Sequence, residues 1–179
     1  MSFPAYVYVY PPDEEYALRE ALPHLVERLG RPSVGQEALL TDIYAQFRSY
    51  LSERTLGGRS LLDRFREAEE DDPEKIDRRM KSHARSEEFV EFVAQQFADF
   101  VAAESDRPRS YVLIHGWGAV FPYLRASMFL DQMEPHLHGY KLILFYPGTY
   151  SQGAFRLFGK LESDEGYRAT CLNERISAS

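Results

Sequence analysis

The sequence predicts a three-layer α/β domain, with a mostly parallel sheet covered by helices on both faces. Three observations predict it. Two apolar runs, YVLI at 111–114 and KLILFY at 141–146, lack polar alternation, the pattern of parallel strands buried on both sides. Strand-like and helix-like segments alternate along the chain, which implies crossover helices packed on a parallel sheet. The hydrophobic fraction of 44%, with 14% aromatic residues, gives 179 residues enough apolar material for one core without disulfides or metals.

The elements follow in order. Residues 5–10, AYVYVY, read as a buried strand stopped by Pro11-Pro12. Asp13 is placed to cap a helix, with Glu14 and Glu15 in its first turn. Leu18, Leu22, Leu25, Val26 and Leu29 carry that helix, Gly30 and Pro32 close it, and Pro23 inside it predicts a kink. Residues 37–40 read as a second strand. Tyr44, Phe47 and Leu51 mark a helix that Gly57-Gly58 breaks.

Residues 57–105 form a charged helical insertion, densest at 64–85. Its mixed signs fit solvated helices with ion pairs at helical spacing, and they fit a docking surface for another protein. Both readings stand at this level. Within it, Ser86 caps a helix with an apolar stripe of Phe89, Val93, Phe97, Phe100 and Val101. An exit loop at 106–109 precedes the strand at 111–114, the turn His115-Gly-Trp-Gly118 and a helix over about 121–133. The strand at 141–146 should end at Pro147-Gly148. Residues 155–161 read as a strand or a helical turn, 167–172 as a last strand and 173–179 as a frayed tail. The whole chain, 1–179, reads as a single domain.

The net charge of −7 and pI near 5.3 oppose autonomous binding to phosphate backbones. A single cysteine, Cys171, rules out an internal disulfide, suits a reducing compartment and reads as a core thiol. Residues 1–12 have no basic n-region, and no window approaches the roughly 18 apolar residues of a membrane span. The expectation is a cytoplasmic protein with no direct nucleic-acid or membrane partner.

In an open parallel sheet, ligands bind outside the carboxyl ends of the strands. After the first strand a nucleoside-triphosphatase places a Gly-rich loop with a lysine. Here stands Tyr10-Pro-Pro-Asp-Glu-Glu15. Prolines lack the N–H that grips phosphate, and carboxylates repel it. The outline is therefore P-loop-NTPase-like or Rossmann-like, without a phosphate-binding loop. After the third strand, His-Gly-Trp-Gly is similar to an oxyanion loop, but no G-x-S-x-G nucleophile elbow follows. The glycines then serve a tight turn, with Trp117 packed over the sheet edge.

His115, Trp117, Tyr123, Arg125, Tyr146, Tyr150 and Arg156 are expected on one rim of the sheet. Aromatic residues with arginine are the composition of protein-contact hot spots, and equally of a small-ligand pocket. Plain packing is the third reading. His136 and His138 have H-x-H spacing, with Glu134 and His115 as further candidate ligands. Nothing in the spacing demands a metal, and a loop between helix and strand accounts for the segment. No cofactor, metal or catalytic set is expected, and the oligomeric state is left open, a homo-oligomer included.

From Ser110 onward several motifs occur in series: Phe121-Pro-Tyr-Leu-Arg-Ala126, the strand end Phe145 to Tyr150 (FYPGTY), Phe155-Arg-Leu-Phe-Gly159 and Tyr167-Arg-Ala169. Together with Tyr10-Pro-Pro-Asp-Glu-Glu15, this series resembles the BrxB family of BREX phage-exclusion systems. Members of that family usually carry a helical lead before the first strand, whereas this chain opens almost on it. The resemblance implies an antiviral-defence role. It implies a small accessory component that binds larger BREX proteins, such as the alkaline-phosphatase-like component or the methyltransferase. It supplies no catalytic motif.

Overall fold

The computed structural model describes residues 4–103, 110–159 and 169–177. β1 (Ala5–Tyr10) leads through a 3-10 turn, Pro12–Glu14, into α1 (Glu15–Leu29). The helix starts one residue later than expected: Asp13 lies in the 3-10 turn, and Glu14 takes the cap position without a side-chain bond. α1 runs on through Pro23. β2 (Glu37–Asp42) passes into α2 (Ile43–Glu53), capped by the Asp42 carboxylate. Gly57 and Gly58 shape the tip of a small hairpin, β3 (Thr55–Leu56) with β4 (Arg59–Ser60).

The charged segment folds as α3 (Leu61–Ala68) and α4 (Pro73–Ala84), followed by the apolar α5 (Glu87–Ala103). Glu74–Arg78 at 3.8 Å and Asp77–Lys81 at 2.7 Å pair along α4. The exit loop at 106–109 lies outside the described residues. β5 (Ser110–His115) ends in Gly116, whose φ of +87° starts α6 (Trp117–Val120). One helix was expected over 121–133. The chain instead makes the short α6, a turn through the cis Phe121–Pro122 peptide, and α7 (Ala126–Met133). Proline lacks the N–H that would continue α6.

β6 (Tyr140–Ser151) overturns another expectation, because it runs straight through Pro147 and Gly148. Its neighbour changes there. β1 pairs with it as far as Tyr10↔Pro147, and β7 (Ala154–Leu157) pairs antiparallel from Gly148↔Leu157. Proline is tolerated where one ladder ends. Gly148 is needed for contact, since a Cβ there would lie 2.1 Å from the Arg156 carbonyl oxygen. The turn itself is Gln152-Gly153, both at positive φ, the two-residue hairpin geometry that matches strand twist.

Of the expected last strand, Thr170–Cys171 forms β8, and the residues before Ala169 lie outside the described part. The tail expected to fray is instead α8 (Leu172–Ser177). Asn173 holds it: Val9 N–H donates to Asn173 Oδ1 at 2.8 Å, and Asn173 Nδ2 donates to the Val9 carbonyl at 2.9 Å. The side-chain amide continues the ladder of β1 beyond the two residues that β8 pairs.

The sheet order is β2-β5-β6-β1-β8, all parallel, with β7 antiparallel on the extension of β6. Alternate residues point to opposite faces. On one face Tyr10, Leu113 and Phe145 pack with Leu22 of α1. On the other, Val7, Val112, Ile114, Leu142 and Leu144 join the larger core of α2, α5, α6 and α7, built on Phe47, Phe89, Phe97 and Phe129. Three layers follow. Among the described residues no helix is long and apolar enough to cross a membrane.

Candidate functional site at the carboxyl edge

The carboxyl ends of β1, β2 and β5 carry a chain of polar side chains on the α1 face. Tyr10 Oη donates a short hydrogen bond to Glu15 Oε2. Arg19 Nε donates to Glu15 Oε1 at 2.7 Å, and its guanidinium lies 3.9 Å from Asp42 Oδ2. Asp42 Oδ1 accepts from the N–H groups of Tyr44 at 2.9 Å and Ala45 at 3.3 Å. His115 stands beside Asp42 in the β2–β5 register. The first turn of α1 is thus tied to the edge of the sheet, where a phosphate loop would otherwise stand.

This network sets the titration of its members. Burial, with the Glu15 hydrogen bond and charge, pushes the Tyr10 hydroxyl far above the ordinary tyrosine value. The Glu15 hydrogen bond raises Arg19 further. Burial holds the His115 imidazole below the ordinary histidine value against the opposing pull of Asp42. Its Nδ1 is buried with no hydrogen-bond partner, and so is Trp117 Nε1 two residues on.

The seven rim residues do not form one surface. His115 follows Leu113 on the α1 face, whereas Trp117 and Tyr146 are 2% and 3% exposed in the core of the opposite face. Trp117 stacks edge-on to Phe129 at 5.3 Å. Tyr123 packs on Phe47 at 6.4 Å, while Tyr146 and Tyr150 pack on Phe155 at 6.1 and 4.5 Å. Arg125 and Arg156 are exposed. The structure brings Tyr146 and Tyr150 together on Phe155 and packs Trp117 and Tyr123 on different rings, Phe129 and Phe47.

Sequence reasoning missed Tyr10, Glu15, Arg19 and Asp42. The i,i+4 pair Glu15/Arg19 and an aspartate opening a helix were visible, but their meeting requires the sheet order. It also missed Phe158, whose ring lies edge-on to Phe121 at 6.2 Å.

His136 and His138 lie at the amino edge, far from His115 at the carboxyl end. With Glu91, Gln95 and Tyr140 they line a groove of about 450 Å³ beside α5. Among the described residues no group of three or more His, Cys, Asp or Glu side chains is placed to hold a metal ion. Cys171 is buried in β8.

Fold and edge thus define a three-layer α/β protein whose parallel sheet opens on a proline-bounded turn. The family model described as "BREX protein BrxB" matches residues 40–172. The chain belongs to the BrxB family of BREX proteins. It is 26% identical over 170 residues to "BREX protein BrxB" of Bacillus cereus (strain H3081.97), covering 95% of this chain and 83% of that protein. No solved structure matches it.

Proposed function

We propose that this BREX component is a non-catalytic accessory protein of phage defence that works by binding a larger protein of the system. The alkaline-phosphatase-like component and the methyltransferase are the first partners to test. One observation carries the reading. At the sheet edge where α/β enzymes hold ligands, Tyr10, Glu15, Arg19 and Asp42 are spent on one another and on the cap of α2. The acidic balance agrees, since it favours a basic partner or one that carries the DNA-binding surface itself. The test is co-purification, under gentle conditions, from cells expressing the whole system. Retention with one larger component supports the proposal, and recovery of this chain alone, time after time, contradicts it.

A second reading has its own observation. The unpartnered Nδ1 of His115 lies at the end of β5, and buried polar atoms ordinarily find partners. A small ligand or nucleotide at this edge would supply one, in a binding protein or a degenerate enzyme. Thermal-shift screening against nucleotides, S-adenosylmethionine and divalent metals tests it. A shift of several degrees with one compound, lost in His115→Ala with the fold intact, would favour this reading over the first.

A further inference from the structure

The two edges of the sheet differ. At one, β8 and the Asn173 amide occupy the outer side of β1. At the other, β2 pairs with β5 over all six of its residues, and among the described residues no strand lies on its outer side. An open strand presents unpaired N–H and C=O groups that template a further strand, and proteins guard such an edge with lysine, proline or a bulge. Ala38-Leu-Leu-Thr41 carries none of these, and its register with β5 is unbroken.

The side chains define what fits there. Leu39 and Leu40 are only half-buried, whereas the β5 residues beside them, Val112 and Leu113, are 0% and 1% exposed. Leu39 stands at the margin of the larger core, and Ala38 and Leu40 at the margin of the α1 face. Both cores therefore stop short at this edge. A strand that completes them needs apolar residues on both of its faces at adjacent positions, and β2 is itself such a strand.

Two-fold symmetry then selects the pairing. Antiparallel strands related by an axis perpendicular to the sheet keep each face continuous, so odd-numbered residues meet odd and even meet even. Centred on Leu39, the pairing sets Leu39 on Leu39, Ala38 opposite Leu40 and Glu37 opposite Thr41. Centred on Leu40, it would set Ala38 opposite Asp42. The first register brings only apolar groups together at its middle. In neither do Glu37 and Asp42 face each other, because they lie on opposite faces. The contact closes at two copies, since the far edge of each sheet is already occupied by β8 and Asn173.

We infer that the chain forms a two-fold dimer by antiparallel pairing of β2 with β2, centred on Leu39, which runs one sheet through both copies. The dimer does not depend on which larger protein the chain binds. Light scattering of the purified full chain tests it, for wild type, Leu39→Lys, Leu39→Glu and the two variants mixed. Leu39 meets itself on the axis, so each variant sets like charges opposite one another, and the mixture pairs lysine with glutamate. Mixing would not mend a misfolded chain. The wild type is expected at twice the 20.7 kDa of the chain, each variant alone at 20.7 kDa, and the mixture back at twice that mass.

A second measurement serves if the charged variants fold poorly. Directly opposed residues of antiparallel strands have Cα atoms about 4.5–5.5 Å apart, within disulfide reach. Leu39→Cys should give a disulfide-linked dimer on oxidation, and the wild type, whose Cys171 is buried at the other edge, should not. A monomeric wild type would overturn the dimer. So would a dimer that Leu39→Lys leaves whole, or the absence of the Leu39→Cys link. A monomeric wild type whose binding to a larger BREX protein is lost in Leu39→Lys would give this edge to a partner's strand, against a second copy.

Discussion

A side chain at Gly116 cannot coexist with Asp42 where it stands, because a Cβ would lie 2.3 Å from Asp42 Oδ1. The same carboxylate oxygen caps α2, and the other lies near Arg19. One glycine at the end of β5 therefore lets β2 hand over to α2 and lets α1 tie to both.

Gly116→Ala would force a left-handed backbone on alanine, about 1–2 kcal/mol, and displace a cap worth about 1 kcal/mol. A loss of about 2–3 kcal/mol is expected in denaturant unfolding. Asp42→Ala alone should cost about 1 kcal/mol. The double variant should cost less than the sum, since removing the carboxylate clears the space. Strict additivity would refute the contact.

Asn173→Ala would leave the half-buried Val9 N–H and carbonyl without their partner, where a fully buried unsatisfied group costs about 1–3 kcal/mol. A loss of about 2 kcal/mol is expected, with faster hydrogen exchange at the Val9 amide. Asn173→Asp keeps the acceptor and loses the donor, so it should fall between. An unchanged Val9 amide in Asn173→Ala would show that α8 is held by other contacts.

These positions show what the sequence could and could not tell. The buried strands and the α5 helix were legible, because period and composition are local. Asn173 in a polar tail read as frayed end, because its partner is Val9 at the other end of the chain. Pro147-Gly148 read as a strand stop. The strand continues because β7 returns to pair with it, which the sequence does not announce. At the edge, one rim was expected for His115 and the aromatics, whereas His115 follows Leu113 on the α1 face and Trp117 and Tyr146 lie in the core of the other. Phe158 stood inside the Phe155-Arg-Leu-Phe-Gly159 motif, but its left-handed backbone was not legible, since it is neither glycine nor asparagine.

His83 and His115 make stability depend on pH. Burial is the first cause of the lowered value at each, with Arg54 and Arg79 adding to it at His83 and Asp42 opposing it at His115. The unfolded chain therefore binds protons at higher pH than the folded one, and stability rises with pH in that window. It should be fully present above about pH 6.5, the ordinary histidine value, and be lost as the pH falls toward the depressed folded values. Urea midpoints between about pH 7 and 5 should drop for the wild type. The drop should be smaller in His83→Gln/His115→Gln. An equal drop would assign the effect to other groups.

Phe47 is fully buried and packs on Tyr50, Phe89 and Tyr123, which joins α2, α5 and the turn before α7. Phe47→Ala should cost about 3–5 kcal/mol. The more conservative Phe47→Leu should cost much less and leave partner binding intact.

The most direct test of the account is the mass of the assembly formed when this chain is co-expressed with the larger BREX proteins, read by light scattering after gel filtration at low salt. The account predicts a complex that contains this chain, does not need added nucleotide or metal, and weakens with salt. Full assembly of the other components while this chain elutes alone would contradict it.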